Sequence, residues 1–354
     1  MDIKGIQNNL LDWYRMNAKS YPWRDDPTPY HVWISEIMLQ QTRIEAAMPY
    51  YHRFISALPD IQSLAAVSQD KLLKLWEGLG YYSRVKNLQK AAKIIVEDYD
   101  GQLPSDYAQL LALPGIGTYT AGAIASIAYR IPVPAVDGNV MRVLSRLIND
   151  TTDVLSTVGK KHFTTLASEL ISQDDPGAFN QALMELGENI CLPNTLPHCS
   201  LCPLQNSCKA VRFGTAGDLP VRVKKTQRRI ENRNVVLLIS DEEVPKILLH
   251  RRDNRGLLGG MWEFPNTTDE QPLCCIPKAL ISECSVVDIL PSSKHLFSHI
   301  EWRMQGHHYR IKKSGDTTDD YCWVTLSELE DTYPIPGAFA AYKKLLKQLM
   351  SKER

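Results

Sequence analysis

Glu36 and Asp137 are the two acidic side chains whose surroundings in the sequence suit chemistry rather than solvation. Glu36 stands in Trp33-Ile34-Ser35-Glu36-Ile37-Met38-Leu39-Gln40-Gln41-Thr42, where Val32, Trp33, Ile37 and Leu39 predict a largely buried helix. An isolated glutamate on a helix is most often solvated, but a carboxyl with apolar flanks is desolvated. Its pKa rises, and it stays protonated near neutrality as a general acid requires. Asp137, in Val136-Asp137-Gly138-Asn139-Val140, precedes a helix carrying Val140, Val143 and Leu144. It caps that helix and can still present an oxygen to a cleft. A protonated acid beside an ionised carboxylate suits cleavage of an N-glycosidic bond. The purine leaves badly as an anion and needs a proton, while the oxocarbenium-like sugar needs a negative neighbour. A base within a duplex must also be turned out of the stack, which calls for elements that grip DNA around the two carboxylates.

One such element is predicted at Leu113–Ile124, Leu-Pro-Gly-Ile-Gly-Thr-Tyr-Thr-Ala-Gly-Ala-Ile. Pro114 ends the Tyr107–Leu113 helix, and Gly115 and Gly117 are expected to take backbone angles that a Cβ forbids. Thr118 then reads as the N-cap of a second helix. A helix that starts in a glycine turn leaves backbone N–H groups bare, ready for a phosphate. Alone, the motif is an ordinary tight turn between helices; the carboxylates on either side of it in the sequence give it weight.

Four of the eight cysteines, Cys191, Cys199, Cys202 and Cys208, fall in one short segment spaced Cys-x7-Cys-x2-Cys-x5-Cys. In a reducing compartment, clustered thiols are ligands rather than disulfides. Zinc sites usually show two close pairs and this segment has one, so a [4Fe–4S] cluster suits it better, though spacing alone leaves zinc open. His198 reads as an exposed loop residue. Cys274, Cys275, Cys284 and Cys322 scatter later and read as small buried hydrophobes.

These features must be positioned by a chain of 354 residues, long enough for about two domains. Forty basic and forty acidic side chains cancel, so any surface for DNA has to be local. The start lacks a secretory pattern and no apolar run reaches membrane-spanning length, so a soluble, intracellular and cytoplasmic chain is expected, nucleoid-associated if bacterial. From Ile6 to about Leu204 the periodicity is helical. Segments are predicted near Ile55–Leu58, Leu64–Trp76, Val85–Tyr99, Tyr119–Tyr129, Val140–Ile148, Phe163–Leu170 and Phe179–Ile190, and Thr28-Pro29 opens the helix of Glu36. Between Lys209 and Arg233 a basic, poorly structured connector carries Arg222, Lys224, Lys225, Arg228 and Arg229. Strands follow at Val235–Ser240, Ile247–His250, Met261–Phe264, His307–Ile311 and Tyr321–Val324, with a helix over Ala338–Leu349. The second half is therefore α+β, unlike the first.

Taken together, the segments around Glu36 and Asp137, the run Gly78-Leu79-Gly80-Tyr81-Tyr82-Ser83-Arg84, the glycine hairpin and the cysteine cluster resemble the MutY-type adenine DNA glycosylases, relatives of endonuclease III. The resemblance covers nearly the whole chain. It implies a mainly α helix-hairpin-helix glycosylase domain at 1–213 with an iron–sulfur loop at 191–208. A basic linker at 214–232 and an α+β Nudix-like domain at 233–354 complete it. It implies excision of adenine opposite 8-oxoguanine or guanine in duplex DNA by a monomer. Glu36 protonates N7, and Asp137 stabilises the sugar cation. Tyr119 and Asn139 orient these groups, Arg24 and Gln181 line the adenine pocket, and Gln41 and Tyr81 enter the duplex. Gly115 and Gly117 form the DNA-gripping turn, and Cys191, Cys199, Cys202 and Cys208 hold a [4Fe–4S] cluster. The Cys191–Cys199 spacing is one residue longer than the family's, which Pro193 and Pro197 are expected to absorb as a bulge.

In the second half, Gly256-Leu257-Leu258-Gly259-Gly260-Met261-Trp262-Glu263-Phe264-Pro265 and the loop Phe297, Ser298, His299 resemble the family's oxidised-base reader, with Ser298 on 8-oxoguanine. Residues 266–288 lack the glutamate-dense helix that holds Mg²⁺ in a Nudix hydrolase, so this domain is expected to recognise without hydrolysing. Two rivals remain: a bifunctional endonuclease III-like glycosylase/lyase, and a lesion-binding protein without catalysis. The lyases carry a Schiff-base lysine in the hairpin where this chain has Tyr119, and a phenol cannot form that intermediate. The presence of both Glu36 and Asp137 speaks against pure binding.

Overall fold

The computed structural model describes residues 1–223 and 228–351. Contacts divide these into two units, residues 1–66 with 87–223 and residues 67–86 with 228–351.

The first unit is helical: α1 (Ile3–Asn17), α2 (Pro22–Asp25), α3 (Pro29–Leu39), α4 (Ile44–Ala57) and α5 (Ile61–Ala66) precede the exchanged segment. That segment holds α6 (Gln69–Leu75) and the start of α7 (Ser83–Asp98). Then come α8 (Tyr107–Ala112), α9 (Thr118–Ile127), α10 (Gly138–Ile148), α11 (Thr157–Leu170), α12 (Pro176–Asn189) and α13 (Lys209–Phe213). Helix starts follow capping chemistry. Thr28 accepts from the His31 N–H ahead of Pro29, Asp106 caps α8, and Ser156 and Asp175 cap α11 and α12. Leu10, Val143, Leu144, Phe163, Phe179 and Leu186 form the core on which α1, α10, α11 and α12 meet.

Several expectations are corrected. The helix predicted over Leu64–Trp76 is two helices, broken at Val67-Ser68, where Ser68 takes the N-cap position of α6. Thr118 is the first residue of α9, and Gly117 occupies its N-cap with no side-chain cap. Of the two hairpin glycines only Gly115 is left-handed, at φ +79°; Gly117 has φ −90° and ψ 179°, which any residue adopts.

The second unit is built on one mixed sheet: β1 (Arg229–Ser240), β2 (Ile247–Arg251), β3 (Trp262–Glu263), β4 (Asn266–Thr267), β5 (Ser285–Leu296), β6 (Ile300–Ile311) and β7 (Tyr321–Val324). The order is β3-β2-β1-β6-β5, with β4 on β1 and β7 on β2. β1 runs parallel to β6 over its whole length, pairing Arg229 with Ile300 and Ser240 with Ile311. It is covered on both faces: Val235, Leu237 and Ile239 pack into one core, and Val236 and Leu238 into the other. Short α14 (Lys278–Ile281) and α15 (Leu326–Asp331) border the sheet. The predicted C-terminal helix is a 3₁₀ turn at Gly337–Phe339 running into α16 (Ala340–Ser351).

β5 is absent from the sequence prediction because it is an edge strand with most side chains exposed, so no alternation marks it. The basic connector is more structured than expected: α13 and β1 claim Lys209–Phe213 and the residues from Arg229 onward. Lys224 and Lys225 lie outside the described residues. No helix among the described residues is long and apolar enough to cross a membrane.

Candidate active site

Four helix termini and one helix face in the first unit enclose a cleft of about 520 Å³. Glu36 reaches it from α3, Tyr119 from the first turn of α9, and Asp137 and Asn139 from the start of α10. Arg24 comes from α2, and Gln181, Met184 and Glu185 come from α12. Gln41, just past the end of α3, stands at its edge. Every first-unit residue expected to touch the base or sugar is thus brought to one cavity.

Glu36 is buried at 9% exposure, because α3 is wrapped from Tyr30 to Met38. Its one hydrogen bond of note is from the Tyr119 hydroxyl to Oε2 at 2.6 Å. Burial pushes its carboxyl up to about 7, with the nearby Asp137 charge adding to the rise; the Tyr119 hydrogen bond and Arg24 oppose it. Asp137 is held differently. Its Oδ1 accepts from the Val140 N–H at 2.7 Å and its Oδ2 from Asn139 Nδ2 at 2.9 Å. Burial raises its pKa as well, but the Val140 and Asn139 N–H groups and Arg142 pull it back toward the ionised form. Two carboxyls in one cleft, one starved of donors and the other supplied with them, are set up for opposite roles.

Sequence reasoning missed Glu185, Met184, Arg142 and Arg146 here. Arg24 forms an ion pair with buried Glu185 and lies over the rings of Tyr14 and Tyr21, at 5.7 and 4.9 Å, while its Nε has no partner among the described residues. Met184 Sδ lies 3.2 Å from the Tyr119 hydroxyl. Arg142 donates to Asn139 Oδ1 at 2.9 Å and to the Gly187 and Cys191 carbonyls at 2.7 Å each. Arg146 donates to Cys191 Sγ at 3.2 Å and to the carbonyls of Leu192 and Leu219. Helical spacing carried the signal: Met184 and Glu185 sit three and four residues after Gln181. Arg142 and Arg146 sit three and seven after Asn139.

Cys191, Cys199, Cys202 and Cys208 line one small cavity with Arg146, Val143 and Leu186. Among the described residues, no three Cys, His, Asp or Glu side chains group tightly enough to hold a single metal ion. The donor set nevertheless fits a thiolate-bound centre. Burial pushes the thiols of Cys199, Cys202 and Cys208 up, and the partner thiols add to the rise, so together they ionise only against a compensating positive group. The long Cys191–Cys199 loop is closed by the His198 N–H on the Ile190 carbonyl at 2.9 Å, with Asn194 left-handed and His198 exposed.

In the second unit a cavity of about 550 Å³ gathers Tyr81, Leu257, Leu258, Phe297, Ser298 and His299. The last three form the turn between β5 and β6, closed by the Phe297 N–H on the Ile300 carbonyl. Phe297 packs on Trp302, while Ser298 and His299 are exposed. Tyr81 is 47% exposed at φ +47°. Its turn is pinned by Trp76 Nε1 on the Gly80 carbonyl and by Arg84 on the Leu79 and Gly80 carbonyls. Gln41 in the first unit has the same left-handed backbone, at φ +60°.

A helical fold with a bare-ended glycine hairpin beside an acid–carboxylate cleft defines a helix-hairpin-helix DNA glycosylase, here followed by a Nudix-type sheet domain. Residues 34–166 match the HhH-GPD superfamily of base excision DNA repair proteins, and residues 235–348 match the NUDIX domain. Adenine DNA glycosylase of Mus musculus is 35% identical over 92% of this chain and 75% of its own length. That of Buchnera aphidicola subsp. Baizongia pistaciae is 33% identical over 82% of each. Among solved structures, a thermostable thymine-DNA glycosylase superposes with a TM-score of 0.55 at 25% identity, over 60% of this chain and 97% of that one. The chain belongs to the adenine DNA glycosylase family.

Proposed function

We propose that this protein is a monofunctional DNA glycosylase that hydrolyses the N-glycosidic bond of adenine mispaired with 8-oxoguanine or guanine. The observation that carries the reading is the pairing of Glu36 and Asp137 in one cleft with unlike hydrogen-bond environments. The adenine, turned out of the stack, enters between Arg24, Gln181 and Glu36. Glu36 gives its proton to N7, so the base leaves neutral rather than as an anion. Asp137, held by Val140 and Asn139, faces the sugar cation until water adds. No lysine is among the residues lining the cleft, and Tyr119 fills the hairpin position, so the backbone is left uncut.

Exposed Gly115 and Gly117 leave the α9 N–H groups open to a DNA phosphate. Gln41 and Tyr81 enter the duplex, and Ser298 contacts the oxidised guanine. Cys191, Cys199, Cys202 and Cys208 would hold a [4Fe–4S] cluster. Bound by these four thiolates, such a cluster would hold the 191–208 loop together and would supply one-electron chemistry.

The test is single-turnover incubation with a duplex carrying one adenine opposite 8-oxoguanine, with and without alkali. Strand breakage only after alkali supports the reading. Breakage without alkali would make the protein a lyase, and tight binding with no product would make it a lesion-binding protein.

A further inference from the structure

The Tyr119 hydroxyl has two acceptors within reach and one proton to give. Glu36 Oε2 lies 2.6 Å away and Met184 Sδ 3.2 Å away. Burial holds the phenol pKa well above its ordinary range, with the charges of Glu36 and Asp137 adding to the rise, so this proton stays on Tyr119 throughout. Which acceptor receives it depends on Glu36. Against the carboxylate the hydrogen bond is charge-assisted and short. Against the neutral acid that advantage is gone, and a soft, polarizable thioether can compete.

We propose that Met184 is a positioning residue that accepts the Tyr119 hydroxyl's hydrogen bond while Glu36 is protonated and gives it up to Glu36 as Glu36 becomes a carboxylate. The proposal rests on Glu36 being the general acid. Turning the hydroxyl toward Sδ withdraws a donor that would otherwise favour the ionised form, and so keeps Glu36 neutral and protonated before reaction. As the proton passes to the base, the new carboxylate outcompetes sulfur and recovers the Tyr119 donor, a stabilisation that exists only once charge develops. No bond other than hydrogen bonds changes at Met184 or Tyr119.

The other titratable groups around the cleft are Arg24 on α2, Arg43 ahead of α4, and Asp137 and Arg142 at α10. Glu185 and Glu188 on α12 complete the set. None is altered by substitution of Met184, which is neutral, so a changed titration reports the hydroxyl's partner.

The experiment is the single-turnover excision rate against pH for the intact, cluster-loaded protein. Met184→Leu removes the acceptor and should move the alkaline limb to lower pH by roughly half a pH unit. Met184→Gln, of similar length with a stronger acceptor, should move it to higher pH. A packing disturbance moves both variants the same way, and that result, or no movement in either, overturns the proposal. In a Tyr119→Phe background neither substitution should move the limb; a persisting shift also overturns it. If Met184→Leu does not fold, the sign of the Met184→Gln shift decides alone. Glu36→Gln separates the two levels: normal excision by that variant removes the general acid itself, whereas its inactivity with an unmoved limb in the Met184 variants removes only Met184.

Discussion

Asn139 donates its side-chain amide to Asp137 Oδ2 at 2.9 Å, and the same side chain's carbonyl oxygen accepts from Arg142 at 2.9 Å. Arg142 in turn is fastened to the main chain at Gly187 and Cys191. Asp137 is therefore oriented by a chain of donors that ends in the loop carrying the first cysteine.

Asp137→Asn should abolish excision, because the amide cannot balance the sugar cation, while the folded state and DNA binding survive. Asn139→Ala should retain part of the activity. A hydrogen bond to a charged group contributes about 1.5–3 kcal/mol, which corresponds to roughly 10- to 150-fold in rate if the full amount is felt in the transition state. Single-turnover rates alongside gel-shift titrations check this. Equal loss of binding and rate in Asn139→Ala would show that the residue serves the fold rather than the carboxylate.

The two hairpin glycines should separate folding from DNA binding. Gly115 is left-handed, and a Cβ there would come within 2.7 Å of Asn87 Cβ, so Gly115→Ala is strained twice. The backbone cost alone is about 1–2 kcal/mol, visible as a lowered melting temperature. Gly117 has ordinary angles and nothing within 4 Å of a Cβ. Gly117→Ala should melt like the parent yet bind duplex DNA more weakly, since the methyl group would stand where a phosphate is proposed to approach the α9 N-terminus. Weakened binding in neither variant would remove the hairpin from the DNA interface.

How much of this was legible beforehand depends on the scale of the signal. Glu36 and Asp137 were readable as candidates because each sits in a local pattern, an apolar helix and a cap, whereas Tyr119 and Asn139 were named only through the family resemblance. For Glu185 and Met184, helical spacing from Gln181 gives only a shared face, because their importance comes from Arg24 and Tyr119, residues 161 and 65 positions away that only the fold brings near. The break at Val67-Ser68 was hidden by apolar residues continuing at helical spacing through it. β5 was hidden for the opposite reason: an exposed edge strand buries almost nothing, so it leaves no hydrophobic period.

Ser298→Ala tests the second unit by specificity rather than speed. Ser298 is exposed in the β5–β6 turn and lines the same cavity as Tyr81. Loss of one hydroxyl contact to the oxidised base should lower the preference for adenine opposite 8-oxoguanine over adenine opposite guanine by roughly two- to tenfold. The rate at saturating enzyme on the guanine mispair should stay close to the parent's. An unchanged preference would mean that other groups of the cavity, not this hydroxyl, read the lesion.

Glu36 also makes stability depend on pH in a direction opposite to that of an ordinary salt-bridged carboxylate. Burial raises its pKa from the usual 4.5 to about 7, so between those values the folded protein holds a proton that the unfolded chain has released. Protons therefore favour the folded state: this contribution is complete below 4.5 and is lost as pH rises through about 7. Glu36→Gln cannot ionise and escapes the loss, although it has no proton to give the base. Its melting temperature relative to the parent should accordingly climb between about pH 5 and about pH 8, even as its excision activity stays at zero throughout. Paired thermal melts across that range read the difference directly. A gap that is flat with pH would mean that Glu36 titrates at an ordinary value in solution, which would also deprive it of the proton that the proposed chemistry requires at neutrality.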